Sequence, residues 1–385
     1  MNTPNMLDTV ILTIPRGLYK LRPETFTPNA NILKMSGNYL IKCVNNATAT
    51  DKRDEIYRPR MTLMKRMTRK SDEIPLKIEF SVAKLLYGNN VDEVQESDFE
   101  DVVKALHKTI KEMGVLVSYE DLQNAKVSAF HPSKNIELTD GYTSSFVITE
   151  LHKIDVSKKM DLNRDSFRNG GHSLQFYTNS HSLVVYDKVQ DLRKPTKRAM
   201  DKDQNSLQLS LFETLTKKER KEILRIEVRL TKKVKMNAVL KSLGLKENPL
   251  FKDVLKKDLC QKILLNYWGE IVASKNLFLF DVESNPKKTL DTIFKIKPRI
   301  KPKEALYLVG LRVLSKEGIR DTRALIERYA TPRTWYRISE DLKFLNDISD
   351  KTYHGWVKQI MDSLDEFMPF RLSTPSVCPV KNSKV

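Results

Sequence analysis

Tyr186 and Lys188 stand two residues apart, and a tyrosine beside a lysine has the chemistry of an activated nucleophile. A nearby ammonium group favours the phenolate form of a tyrosine and stabilises negative charge on a phosphate. Both residues belong to the stretch His172–Lys188, HSLQFYTNSHSLVVYDK. The spacing leaves a second interpretation open, in which the tyrosine closes a sheet with its hydroxyl in water and takes no part in catalysis.

A second group of chemistry-bearing residues lies in the alternating segment LRIEVRL, where Glu227 stands between Arg225 and Arg229. The apolar residues predict one core-facing side of a strand, so the three charged residues are predicted to share an exposed face. A carboxylate there suits a hard divalent cation, and two guanidinium groups suit a phosphate. The alternative is a surface salt-bridge ladder, which would contribute little stability.

The chain carries a large excess of positive charge. Lys and Arg number 67 against 49 Asp and Glu, which gives a net charge of +18. This excess indicates a polyanionic partner, nucleic acid first and an acidic membrane surface second. In the segment YRPRMTLMKRMTRK, Arg58 and Arg60 alternate with other side chains. They predict either a basic edge strand or loop against a phosphate backbone, or a solvated face.

A hairpin is predicted to position Tyr186. Apolar, β-rich runs flank the polar cluster Thr178-Asn179-Ser180, and the second run ends at the tyrosine. A capping box of Ser97 and Glu100 predicts a helix over 98–113. Further strands are predicted at Met6–Ile14, Tyr39–Val44, Leu76–Val82, Val115–Val117, Lys126–Phe130, Ser144–Leu151, Leu224–Leu230 and Lys275–Val282. The chain leaves its strand at His131, and 193–204 is predicted to be a polar, basic loop.

Beyond Thr231 the pattern becomes helical, with predicted helices at Val234–Leu243 and Leu250–Trp268. A Lys/Pro-rich segment predicts a linker at 284–303 between a catalytic domain at 1–283 and a helical domain at 304–368. Helices at Glu304–Ser315, Asp321–Tyr329 and Pro332–Leu345 have the arrangement of a helix-turn-helix, with Arg333 and Arg337 as candidate DNA contacts. Any small helical bundle gives the same pattern. The tail at 369–385 is predicted to be disordered.

Several classes of protein are disfavoured by what the sequence lacks. Cys43, Cys260 and Cys378 are far apart, so neither a disulfide framework nor a zinc ribbon is indicated. No phosphate-binding glycine loop supports a nucleotide-driven motor or a dehydrogenase. No signal sequence is evident, and no apolar run approaches the roughly 20 residues that a membrane span needs. We therefore expect a cytoplasmic protein without a membrane partner.

Four segments, in this order, resemble the rolling-circle replication initiators of the filamentous-phage gene II protein type: MLDTVILTIP, LKIEFSVAKLLYGNNV, HSLVVYDK and LRIEVRL. The resemblance covers roughly residues 6–268. It implies an α+β fold with an antiparallel ferredoxin-like sheet, related to the His-hydrophobe-His nucleases with a permuted motif order, followed here by the C-terminal helices. It also implies a bacterial host cell.

The resemblance assigns roles to individual residues. Tyr186 matches the position of the catalytic tyrosine, with Lys188 beside it, and Glu227 matches a glutamate expected to bind Mg²⁺ or Mn²⁺. His131, in AKVSAFHPSKN, takes the approximate place of an acidic metal ligand. Imidazole suits these ions less well than carboxylate does. Either His131 substitutes, or the ligand lies elsewhere, with His172 and His181 as nearby alternatives.

The implied activity is that of a metal-dependent, site-specific DNA endonuclease and ligase. Tyr186 would attack one strand at an origin, leaving a tyrosyl-5′-phosphate and a free 3′-OH as primer for a host polymerase, together with a host helicase. Arg225 and Arg229 would position the DNA strand. Two other classes stay open: a non-enzymatic DNA-binding regulator that uses the helices at 304–345, and a relaxase or transposase with the same tyrosine chemistry.

Overall fold

Alternating apolar and polar residues in segments such as LDTVILTI and LKIEFS fold into one large sheet, because alternation places one side of each strand in the core. A computed structural model of the protein describes residues 7–35, 40–65, 74–156, 160–162, 171–193, 206–273, 276–282, 285–349 and 352–372. Its α+β architecture, an antiparallel sheet followed by a helical region, confirms the predicted fold class.

The main sheet has nine antiparallel strands in the order β3-β4-β5-β1-β7-β11-β10-β9-β8, and β2 pairs with β6 separately. The first strand of the chain therefore lies near the middle of the sheet, beside β7. The strands are β1 Leu7–Ile14, β2 Tyr19–Leu21, β3 Ile41–Asn45, β4 Arg60–Lys65, β5 Leu76–Ser81, β6 Val115–Val117, β7 Lys126–Leu138, β8 Asp161–Leu162, β9 Ser173–Tyr177, β10 His181–Asp187 and β11 Glu222–Leu230.

The helices surround this sheet and form the C-terminal region. They are α1 Ala49–Arg53, α2 Val82–Tyr87, α3 Phe99–Glu112, α4 Tyr119–Gln123, α5 Ser144–Leu151, α6 Lys188–Arg193, α7 Ser206–Glu213, α8 Lys233–Ser242, α9 Phe251–Val254, α10 Lys257–Trp268, α11 Pro286–Ile296, α12 Pro302–Glu317, α13 Ile319–Glu327, α14 Pro332–Asp347 and α15 Gly355–Glu366. Short 3₁₀ turns occupy Arg16–Leu18, Pro23–Thr25, Ala30–Lys34, Glu96–Asp98 and Leu277–Phe280, and π-helical turns occupy Thr214–Lys218 and Gly269–Ala273.

The apolar sides of the central strands are covered by helices from distant parts of the chain. Helices α8, α10 and α15 pack against β7, and α5 packs against β10 and β11. Residues such as Phe130, Ile226 and Val228 are completely buried in this core. Because α15 belongs to the C-terminal region and β7 to the sheet, one hydrophobic core spans both. No helix within the described ranges combines the length and hydrophobicity that crossing a bilayer requires.

The segment Ser144–Leu151 is a helix, and the predicted strand there is wrong. Thr143 begins the helix, since its side chain accepts a hydrogen bond from the backbone N–H of Phe146 at 3.2 Å. Val147, Ile148 and Leu151 are buried together, as expected when every third or fourth residue faces a core. The helical spacing of the apolar residues and the cap at Thr143 therefore outweigh the β-rich composition of SSFVITEL.

Three further segments differ from the prediction, and a fourth is almost wholly undescribed. The cap before α3 is formed by Gln95 and Asp98 rather than by Ser97 and Glu100, and the segment 277–280 is a 3₁₀ turn. Strand β7 does not end at Phe130 but continues to Leu138, with an irregular register opposite Leu7 and Thr9 that accommodates Pro132. The predicted loop at 193–204 lies outside the described residues, except that residue 193 ends α6.

The predicted linker at 284–303 contains helix α11, because Asn285 caps it and Pro286 opens it. Helices α12, α13 and α14 confirm the three predicted helical runs. Residues 369–372, predicted as the start of a disordered tail, are described, and Phe370 is buried against the sheet domain. The rest of that tail lies outside the described residues.

The cap of α5 gives a prediction for stability. We expect Thr143→Ala to lower the free energy of unfolding by about 1 kcal/mol, because an N–H of the first turn loses its partner. Ser97→Ala is the matched control, since Ser97 precedes α3 without capping it and should change stability by less than about 0.5 kcal/mol. Urea denaturation followed by circular dichroism measures both; equal effects would contradict this account of the two caps.

Candidate active site

Four adjacent strands bring the candidate site together on one face of the sheet. In the order β1-β7-β11-β10 they carry Asp8, His131, Glu227 and Tyr186 respectively. The register pairs Glu227 with Val184 of β10, two residues before Tyr186, and with Ser133 of β7, two residues after His131. Because alternate residues of a strand share a face, all these side chains converge.

Asp8, His131 and Glu227 form a compact group of potential metal ligands. One donor atom from each residue lies within 4.8 Å of the donor atoms of the other two. His131 Nδ1 is 3.5 Å from Glu227 Oε1, while His131 Nε2 is buried without a hydrogen-bond partner among the described residues. Two carboxylates and an imidazole are a donor set that divalent ions such as Mn²⁺ accept. The buried His131 Nε2, which lacks a hydrogen-bond partner, fits a group of side chains that binds a metal ion.

Asp8 is the member of this group that sequence reasoning missed. It lies in the segment MLDTVILTIP, whose pattern predicts a strand and contributes to the family resemblance but does not indicate a metal ligand. The available signal was a single carboxylate at the start of an otherwise apolar and hydroxyl-bearing strand. The structure also places the two alternative histidines elsewhere: His172 lies 3.1 Å from Asp187, and His181 lies 2.7 Å from the hydroxyl of Tyr267.

The charged face of LRIEVRL is buried rather than exposed, which corrects the prediction from alternation. The side chains of Glu227 and Arg225 are 2% and 4% exposed, and only Arg229, at 37%, reaches solvent. The loop 88–93 covers this face, since the Asn90 carbonyl accepts a hydrogen bond from Arg225 at 2.9 Å. An alternating strand whose second face is charged looks the same in sequence whether or not a loop covers it.

The two arginines hold the two carboxylates. Arg229 Nε donates to Glu227 Oε1 at 2.8 Å, and an Arg225 amino group lies 2.9 Å from Asp8 Oδ1. Burial alone would raise the pKa of Glu227. Arg229, His131 and Arg225 outweigh burial and hold that pKa well below its usual range. Glu227 is therefore an anion in the folded protein, available to a cation.

Tyr186 directs its hydroxyl toward this group. The phenolic oxygen lies 3.3 Å from Glu227 Oε2, in hydrogen-bonding position. Its side chain is half-buried, and burial raises its pKa well above 10, although Arg225 acts in the opposite direction. Glu227 raises the pKa further. Without an added cation the site therefore favours the protonated phenol.

Lys188 begins helix α6 directly after β10, and it is fully buried. Its Nζ lies 5.7 Å from the centre of the Tyr186 ring and 3.7 Å from Asp191. It has no hydrogen-bond partner among the described residues. Burial, assisted by Arg225, lowers the pKa of Lys188 to about 7. The amine therefore exchanges its proton near neutral pH, beside the tyrosine ring.

The predicted DNA contacts are spread over the molecule. Arg60 is half-buried on β4, one strand in from the sheet edge, so the predicted edge position belongs to β3. Arg58 is held by two carboxylates, at 3.0 Å from Asp51 and 2.6 Å from Glu112. Arg333 and Arg337 are exposed on α14. The structure does not bring these four arginines together with the group around Tyr186.

Residues 44–245, just over half of the 385-residue chain, match the family described as the N-terminal region of the phage replication-associated gene II protein. The chain belongs to this family. The match confirms the resemblance to filamentous-phage gene II-like rolling-circle initiators. No curated protein and no solved structure matches the chain.

The family implies that the protein acts in the initiation of rolling-circle replication, with DNA as its partner. The matched range includes Tyr186, Glu227 and His131 but begins after Asp8 and β1. It also ends before α9 to α15. Strand β1, which supplies Asp8, lies outside the matched range and reaches the site because it pairs with both β5 and β7.

Lys188 gives a prediction for the pH dependence of stability. Between its folded pKa of about 7 and its usual value of 10.5, the unfolded chain binds a proton that the folded protein does not. Its contribution to the free energy of unfolding therefore increases as pH rises through this interval. We expect Lys188→Met to be more stable than wild type at the lower end of the interval and to lose that advantage with rising pH.

Urea denaturation of the metal-free proteins at several pH values checks this difference. Lys217→Met is the control, because Lys217 is 73% exposed in its pair with Glu213. Its curve should stay parallel to that of wild type. A constant difference between wild type and Lys188→Met across the same interval would contradict a lowered pKa for Lys188.

Proposed function

We propose that the protein is a tyrosine nuclease that nicks and rejoins one DNA strand at a replication origin. The observation that carries this proposal is the 3.3 Å approach of the Tyr186 hydroxyl to Glu227, inside a group that also holds Asp8 and His131. A nucleophile beside a cluster of potential metal ligands is the arrangement that phosphoryl transfer requires. The family's role in rolling-circle replication supplies DNA as the substrate.

Asp8, His131 and Glu227 would hold the divalent ion, Mg²⁺ or Mn²⁺. Such an ion, when bound, polarises the scissile phosphodiester and offsets the negative charge that develops on its oxygens. The fit rests on the donor types and on the unsatisfied His131 Nε2. Arg225 orients Asp8 and Arg229 orients Glu227 through hydrogen bonds before any ion arrives, and both arginines help to hold the pKa of Glu227 well below its usual range.

The remaining steps belong to residues of the chain. Glu227 orients the Tyr186 hydroxyl through the hydrogen bond that this hydroxyl donates. As the phenolic oxygen bonds to phosphorus, the phenol releases its proton to water, because the lowered pKa of Glu227 makes that carboxylate a poor base, and the bond from phosphorus to the 3′-oxygen breaks. The 3′-oxygen takes up a proton and becomes the 3′-OH that a host polymerase extends. Lys188 has a pKa of about 7, and its protonated ammonium form stabilises the phenolate of Tyr186.

The products explain how joining follows nicking without a nucleotide cofactor. The tyrosyl-5′-phosphate conserves the energy of the broken phosphodiester, so attack by a 3′-OH restores the strand. The net charge of +18 favours binding to the DNA backbone, and Arg333 and Arg337 offer an exposed contact away from the site. A host helicase would separate the strands ahead of the polymerase.

A covalent-adduct assay tests the nucleophile. Labelled single-stranded DNA from the genetic element that encodes the protein is incubated with wild type in Mn²⁺ and, separately, in EDTA. We expect a DNA-linked protein band on a denaturing gel only with Mn²⁺, and no band with Tyr186→Phe, because phenylalanine has no nucleophilic oxygen. Tyr177→Phe, in the neighbouring strand β9, is the control and should form the adduct normally.

Other outcomes of this assay separate the alternatives. Normal DNA binding with no adduct from any part of that DNA would sink the proposal and favour a regulator that binds through α12 to α14. An adduct that also joins two different DNA ends would favour a relaxase or transposase role for the same chemistry.

The ligand group gives a second prediction. We expect Asp8→Asn to weaken Mn²⁺ binding at least about tenfold, because an amide oxygen is a poorer ligand than a carboxylate. Titration of Mn²⁺ followed by electron paramagnetic resonance, without DNA, measures this directly. Glu137→Gln is the control, since Glu137 lies on β7 with His131 but is exposed. An unchanged Mn²⁺ affinity in Asp8→Asn would contradict the role of Asp8 as a metal ligand and leave only its role as the partner of Arg225.

A further inference from the structure

The last described residues of the chain return to the sheet domain and bind beside the candidate site. After α15, residues 367–372 form a segment without regular secondary structure, which we call the C-terminal strap. The backbone N–H of Phe370 donates to the Glu93 carboxylate at 2.7 Å, and Glu93 N–H donates to the Phe370 carbonyl at 3.1 Å. The N–H of Leu372 donates to Asp92 at 3.0 Å. The strap thus binds the loop 88–93 by both backbone and side-chain groups.

Arg371 adds a second attachment to the same region. Its guanidinium donates to the Tyr87 hydroxyl at 2.8 Å, lies 4.6 Å from the centre of that ring, and is 3.5 Å from Asp98. Tyr87 ends helix α2, immediately before the loop 88–93. The strap therefore contacts both the loop and the residue that introduces it.

Glu93 is the point at which the strap meets the sheet. Although only 5% exposed, its carboxylate accepts hydrogen bonds from Phe370 N–H and from the backbone N–H of Asn135, and it pairs with Lys134 at 3.0 Å. Lys134 and Asn135 belong to β7, the strand that carries His131. Since a buried charge is costly unless it is fully paired, the strap completes the environment that Glu93 needs.

The loop 88–93 connects the C-terminal strap to the candidate site. The Asn135 side chain donates to the Val91 carbonyl at 2.7 Å, and Arg225 donates to the Asn90 carbonyl at 2.9 Å. The same guanidinium holds Asp8 at 2.9 Å. Hydrogen bonds and the backbone of the loop 88–93 therefore connect Phe370 to Arg225 and Asp8.

A hydrophobic contact connects the strap with the nucleophile as well. The ring of Phe370 belongs to a small core, separate from the main one, that joins the strap to the loop 88–93, to helix α6 and to the start of β11. Its other buried members are Val91, Val189, Leu192, Leu215 and Ile223. Helix α6 begins with Lys188, two residues after Tyr186. Loss of Phe370 would therefore loosen both sides of the site.

We infer that Phe370 and Glu93 are positioning residues for the nicking reaction, through which the C-terminal helical region holds the loop 88–93 and helix α6 in place. This inference rests on the proposed function for its effect on nicking, but the structural link does not depend on it. Neither residue touches the reacting atoms. Phe370 acts through the small core, and Glu93 acts through the loop and Arg225.

Hydrogen exchange of the full-length protein tests the link without DNA or metal. We expect Phe370→Ala to speed amide exchange about tenfold in 88–93 and 188–193, and to leave the central amides of α3 unchanged. Met368→Ala is the matched control, because Met368 lies in the same strap but is 60% exposed. If Phe370→Ala loosens the whole sheet, Arg371→Gln replaces it as the test variant, because it removes only the contacts to Tyr87 and Asp98. The same faster exchange is expected in 88–93 and 188–193, with the central amides of α3 unchanged.

The adduct assay tests the consequence for the reaction. At saturating Mn²⁺ and DNA we expect Phe370→Ala and Glu93→Gln to slow adduct formation about tenfold with little change in the DNA concentration for half-maximal rate. Phe370→Leu, which keeps an apolar side chain, should restore most of the rate. Unchanged exchange in both segments would overturn the inference. Altered exchange with a normal adduct rate would overturn the positioning role, while absence of any adduct in wild type would instead reject the proposed function.

Discussion

The buried carboxylate of Glu227 is the group on which the organisation of this site depends. An anion with 2% of its side chain exposed persists only when cations and hydrogen bonds surround it. Arg229 supplies the closest contact, at 2.8 Å, and His131 and Arg225 add to it. The same carboxylate accepts a hydrogen bond from the Tyr186 hydroxyl at 3.3 Å, so the candidate nucleophile lies beside the group that these cations hold in place.

Arg225, the buried cation beside Glu227, needs partners of its own, and this requirement extends the network outward. Arg225 is buried, and it is paired with Asp8 and bonded to Ser133 and the Asn90 carbonyl. Holding that carbonyl in place requires the loop 88–93 to be fixed, which Glu93 achieves through β7 and the C-terminal strap. The burial of one anion thus connects β1, β7, β11, a loop and the end of the described chain.

Local patterns in the sequence carry much of the fold but little of this network. Alternation and turn residues predict the hairpin around Thr178 and the strand LRIEVRL, because both depend on neighbours along the chain. They fail for Ser144–Leu151, where β-rich residues are also spaced for a helix. The partnership of Asp8 with Arg225 spans 217 residues, and burial of the charged face depends on a loop from another part of the chain. Neither relation leaves a local pattern.

The family match and the structure describe different extents of the same functional unit. The matched residues 44–245 contain the tyrosine and two of the three potential ligands, whereas Asp8 and Phe370 lie on either side of that range. Both reach the site only because β1 inserts between β5 and β7, and because α15 delivers the strap beside the loop 88–93. A boundary drawn at residue 283 would therefore separate Glu93 from a partner that its buried charge requires. The described parts of the sheet and of the helical region share one hydrophobic core, and the inferred role of the strap makes the helical region a support for the candidate site.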